Sequence, residues 1–193
     1  MINRKFIEKL KKDFDRKESQ RRQIISVSSN ILHNSKRAIF SLHRADAERA
    51  NELLKEAQDA IAGLGKRFGH GRVNLEGAYR AAVEEYAEAK LFAQVLRHGR
   101  VERITGIDLD QETYLGGLCD LTGELVRRAI NQAAAGRTEE ALQAKELVSA
   151  IMAELIEFDL AGYLRTKYDQ AKTNLKKIEY IAYELKLKQA SQD

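Results

Sequence analysis

Residues 24–42 read IISVSSNILHNSKRAIFSL, and the placing of their apolar side chains decides the fold class. Ile24, Ile25, Ile31, Leu32 and Ile39 fall at spacings that keep one stripe of an α-helix apolar, where a strand would alternate. Upstream, Phe6, Leu10 and Phe14 continue the stripe, which predicts a single helix from about Ile2 to Leu42. Nothing interrupts it, for the chain of 193 residues contains no proline. A helix of that length spans roughly 60 Å, whereas a domain of this size has a radius of gyration of about 16 Å. Either the helix kinks or its excess packs against another subunit, and the second reading is preferred.

The same periodicity runs through the rest of the sequence. Asp46 caps a second helix to about Ala62, and Gly63 to Arg72 reads as a glycine-rich loop. A third helix is predicted from about Asn74 to His98. The fourth begins after Gly99–Leu109, capped by Asp108 with Gln111 or by Asp110, and ends before Gly136. Thr138 caps a fifth reaching about Leu160, and a last helix spans about Tyr163 to Lys188. No period-2 segment competes. The expectation is an all-α, antiparallel helical bundle with long helices, one domain over residues 1–193.

Composition narrows the setting. No apolar run is long enough to span a bilayer. Met1 to Lys5 is not followed by the apolar segment of a secretory signal. A single cysteine, Cys119, fits a reducing compartment, so a cytoplasmic protein without membrane partners is expected. Net charge is only +4, yet residues 1–44 hold twelve Lys or Arg against four Asp or Glu. A basic first segment on an acidic remainder fits a phosphate-binding face, although a solvated basic helix has the same composition.

Several familiar chemistries are excluded. The glycine-rich loop lacks the P-loop spacing, Lys66 being followed by Arg67 rather than Ser or Thr. His33, His43, His70 and His98 are scattered, none three residues after a glutamate, and none has a sequence argument for being a general base. Acidic pairs are more informative. Glu85 and Glu88 flank the third helix's core stripe of Leu75, Tyr79, Ala82, Tyr86, Ala89 and Ala93. Asp120 and Glu124 flank the stripe Tyr114, Leu118, Leu121, Leu125 of the fourth, with Arg127 and Asn131 on the same line. Pairs three and four apart point their carboxylates alike. Two neighbouring helices could present four oxygens to Mg²⁺ or Mn²⁺, hard cations that activate water and stabilise phosphoryl charge. Spacing alone equally fits solvated helix faces.

The wording of the sequence adds a resemblance. Tyr114 to Leu125, YLGGLCDLTGEL, continuing to Asn131, resembles the central motif of the translin family and, within it, the translin-associated factor X branch. Ser35 to Arg44 resembles that branch's first-helix motif. Leu164 to Asp169, Lys176 to Glu179 and Tyr183 to Leu185 resemble the C-terminal helix shared by both branches.

This resemblance implies about seven helices, assembly into a hollow homo-octamer, and binding of RNA or single-stranded DNA inside it. It further implies a Mg²⁺-dependent endoribonuclease, since the catalytic branch's two acidic motifs match Glu85-Tyr86-Ala87-Glu88 and Asp120 to Glu124. Translin itself lacks these acids and binds without cutting. The connection between the third and fourth helices is shorter than in the eukaryotic catalytic branch, and that branch's bipartite localisation signals have no clear counterpart. The compact, proline-free form implies a prokaryotic, archaeal-type relative that assembles with itself. Candidate phosphate contacts are Lys36, Arg37, Arg44, Arg67, Arg72 and Arg127, the last of which could instead pair with Glu124.

Overall fold

A computed structural model describes residues 2–190. Seven helices run through them: α1 (Arg4–His43), α2 (Ala47–Phe68), α3 (His70–Val73), α4 (Gly77–His98), α5 (Gln111–Ala134), α6 (Thr138–Leu155) and α7 (Gly162–Ala190). No strand occurs among the described residues. Helix α1 is continuous over 40 residues, starting where the Asn3 side chain accepts from the Phe6 amide at 3.2 Å. It packs on α2 and α4, α4 packs on α5, and α5 packs in turn on α6 and α7. Helices α4 and α5 therefore form the centre of the bundle.

Burial follows the predicted stripes. Ile24, Ile31 and Ile39 of α1 are buried, as are Tyr79, Ala82, Tyr86 and Ala89 of α4 and Leu118, Leu121 and Leu125 of α5. Fully burying side chains of this size contributes about 1.5–3 kcal/mol each. The N-terminal part of the α1 stripe differs: Phe6, Leu10 and Phe14 are 60, 53 and 62% exposed.

Four boundaries depart from the sequence expectation. Helix α2 continues through Gly63 and Gly65 to Phe68, so most of the expected loop is helical. Gly65 leaves room there for the His70 ring, which would have to shift from a Cβ 2.7 Å away. The chain turns at Gly69, whose φ of 82° favours glycine, and the short α3 follows. Helix α4 starts at Gly77 rather than near Asn74, which leaves Leu75 outside it and exposed. Thr138 is the first residue of α6, not its cap, and that helix stops at Leu155. Of the alternatives before α5, Asp110 is the cap, accepting from the Thr113 amide at 2.7 Å.

Candidate metal centre and nucleic-acid face

Helices α4 and α5 approach closely because α5 carries Gly116-Gly117 at their contact. A Cβ on Gly117 would stand 2.8 Å from the Ala87 Cβ and 2.9 Å from the Glu88 amide nitrogen. One on Gly116 would overlap the Glu84 carboxylate. The two glycines thus seat α5 against the turn of α4 that carries Glu84, Glu85 and Glu88. Asp120 and Glu124 follow one and two turns later on α5.

The acids share one electrostatic environment. Burial and then the charges of Asp120, Glu85 and Glu124 push the Glu88 carboxyl up to about 9. Burial likewise raises Glu85, with Asp120 and Glu124 adding to it and Lys36 and Lys167 opposing. Asp120 is raised by burial despite the hydrogen bond it accepts from Lys167. Glu85, Glu88, Asp120 and Glu124 thus influence one another electrostatically across the α4–α5 contact.

Four further residues complete the cluster, and none was singled out by spacing. Glu84 is buried beside Glu88 on the same helix. The Lys167 ammonium of α7 donates to Asp120 Oδ2 and lies 2.9 Å from Glu84 Oε1. It also sits 5.4 Å from the Tyr163 ring centroid, while the Tyr163 hydroxyl donates to Glu84 Oε1 at 2.5 Å. Burial works against the Lys167 charge, yet hydrogen bonds to Asp120 and Glu84 outweigh it and hold the ammonium above its ordinary range. From α1, His43 meets Glu124 Oε2 through Nε2, its ring packed 4.9 Å from that of Phe92. Lys167 and His43 both lie inside stretches that carried the family resemblance, but nothing in their local spacing names a partner on α5.

The basic candidates divide. Lys36 acts on Glu85, and Arg127 lies 3.5 Å from Glu124, so both border the acids. Arg44 and Arg67 lie over the rings of Phe40 and Phe68, at 5.4 and 5.0 Å. Arg72 is engaged by Glu76 at 2.7 Å, a carboxylate that Arg21 also approaches. Arg37 is exposed on α1.

The donor set fits a hard divalent cation. Four carboxylates from two helices offer oxygen ligands only, and Glu88, raised first by burial, also feels the negative charges of Asp120, Glu85 and Glu124. Among the described residues no three Asp, Glu, His or Cys side chains converge into a ready-made cage. Asp120 and Glu124 are turned instead towards Lys167 and His43.

Comparison with known proteins places this architecture. The model of the Translin family matches residues 19–189. The translin-associated protein X homolog of Schizosaccharomyces pombe is 23% identical across 90% of this chain and 84% of its own length. The Rattus norvegicus translin-associated protein X is also 23% identical, across 91% of this chain and 76% of its own. Gallus gallus translin is 33% identical over 88 residues, covering 45% of this chain and 38% of translin. Among solved structures, AfC3PO superposes with a TM-score of 0.85 over 94% of this chain and 97% of its own, at 22% identity. The AfC3PO–duplex RNA complex gives 0.83 at 21% identity, over 94 and 96%. Likeness at these identities is likeness of fold.

Proposed function

The chain belongs to the Translin family, and we propose that it is a divalent-metal-dependent endoribonuclease that binds RNA within a self-assembled oligomer. The observation that carries this reading is the shared electrostatic environment of Glu85, Glu88, Asp120 and Glu124 across the α4–α5 contact. These four residues would hold Mg²⁺ or Mn²⁺, which when bound supplies Lewis acidity for phosphodiester hydrolysis. His43 orients Glu124 by hydrogen bonding, as outer partners commonly do for ligating side chains. Lys36 and Arg127, at the border of the acids, would bind the RNA phosphates, with Arg37 and Arg44 extending the basic line along α1. Support for RNA as the substrate comes from the fold shared with the AfC3PO–duplex RNA complex. Support for self-association comes from the exposed apolar stripe at the start of α1, and the homo-octamer is the assembly that the family resemblance implies.

The test measures RNA binding and cleavage on one folded preparation, with Mg²⁺ and with EDTA. Asp120→Asn should keep RNA affinity or raise it, since a negative charge near the phosphates has gone. Cleavage should fall by orders of magnitude, each 1.36 kcal/mol of lost stabilisation being about tenfold in rate. An Asp120→Asn variant cutting at the parental rate would overturn the metal assignment. A second reading, a non-catalytic oligomer that binds RNA or single-stranded DNA, is favoured by the engagement of Asp120 and Glu124 with Lys167 and His43. It prevails if the parent never cuts in Mg²⁺ or Mn²⁺.

A further inference from the structure

We infer that Lys167 is a built-in counter-cation of the acid cluster, resting on Asp120 and withdrawing to Glu84 when a divalent cation takes Asp120. The inference rests on the metal reading given above and assigns a purpose to three residues outside the four acids. Lys167 reaches the centre from α7, with its side chain 18% exposed and its ammonium shared between Asp120 Oδ2 and Glu84 Oε1. An ammonium is a compact point charge with three donors, so it can hold two carboxylates at once and relinquish one without losing the other. Glu84 is suited to the second position. It is buried, and the Tyr163 hydroxyl pins the same oxygen that Lys167 touches. The Tyr163 ring, 5.4 Å from the ammonium, gives the withdrawn charge a π face to rest against.

The arrangement has a definite electrostatic consequence. Without a metal, one ammonium offsets part of the repulsion among Glu84, Glu85, Glu88, Asp120 and Glu124. With a dication present, the same ammonium repels it at short range in a poorly screened site. Lys167 therefore sets the concentration of cation at which the site loads. A lysine that only pinned α7 to the bundle would act in the opposite sense, because its removal would loosen the ligands and weaken metal binding.

The experiment titrates Mn²⁺ into the full chain without RNA, reading the dissociation constant by calorimetry and the free ion by paramagnetic resonance. Lys167→Met and Lys167→Gln remove the charge, and Lys167→Arg keeps it; thermal unfolding of each checks the fold. The expected result is Mn²⁺ binding at least about tenfold tighter in whichever neutral variant folds, with the arginine variant close to the parent. Equal or weaker binding in a folded neutral variant, beside measurable binding by the parent, overturns this inference and leaves the metal reading intact. Absence of Mn²⁺ binding in the parent and both neutral variants overturns the metal reading and this inference with it.

Discussion

Buried Glu88, facing Asp120, Glu85 and Glu124, gives the site its pH dependence. Its carboxyl rises from an ordinary 4.5 to about 9 in the folded chain, first through burial and then through those three charges. The fold therefore favours the protonated form. The contribution of Glu88 to stability is complete below about pH 4.5 and declines as pH rises towards about 9. Glu85 and Asp120, raised for related reasons, act in the same direction. Lys167, held above its ordinary range, stays charged throughout that window. The metal-free protein should melt at progressively lower temperature from mildly acidic to alkaline pH, with a slope of up to about 1.4 kcal/mol per pH unit for one proton. Glu88→Gln should flatten the profile, and identical profiles for parent and variant would show that Glu88 does not titrate there. Helical spacing showed in the sequence that each acidic pair shares a helix face, and the family resemblance, not the spacing, singled the four acids out. Their cationic partners were not legible there, since Lys167 lies 47 residues from Asp120 and His43 lies 81 from Glu124. Periodicity carries no information across such separations.

At the scale of elements, glycine plays opposite roles in two helices. Gly63 lies in α2 with nothing within 4 Å of a Cβ built on it, so Gly63→Ala should stabilise the protein by up to about 1 kcal/mol through helix propensity. Gly117 gains the same propensity as alanine, but its Cβ would press on the Ala87 side chain and on the Glu88 backbone, which has little room to yield. Overpacking of that kind typically costs about 1–3 kcal/mol, so Gly117→Ala should be destabilising on balance. It should also move α5 relative to Glu84 and Glu88. Chemical denaturation of the two variants side by side checks this, and equal stabilisation of both would mean that the α4–α5 contact is looser than described. The same contrast explains the misplaced loop. Gly63, Gly65 and Gly69 look alike in sequence, yet only Gly69 turns the chain, at φ 82°, while Gly65 clears space for His70. Side-chain caps were read in part: Thr138 was not one, and Asp110 was only the alternative to Asp108. Asp46 and Asp110 hold the Arg49 and Thr113 amides because their carboxylates find them three residues on, a purely local matter.

The molecule as a whole is shaped by α1, which at 40 residues spans roughly 60 Å and leaves Phe6, Leu10 and Phe14 exposed on one stripe. Light scattering at micromolar concentration should report a particle well above dimer size, and a monomer would contradict the proposed assembly. Replacing all three side chains by glutamate should reduce the particle without melting the bundle, because the buried part of α1 begins at Ile24. The positions of His43 and Lys167 have a further consequence, in the order of synthesis. Asp120 is made before the lysine that balances it. At translation rates of about 5–20 residues per second, the 47 residues from Asp120 to Lys167 take roughly 2–10 s. Through that interval the acids of α4 and α5 have no Lys167 to offset their charge.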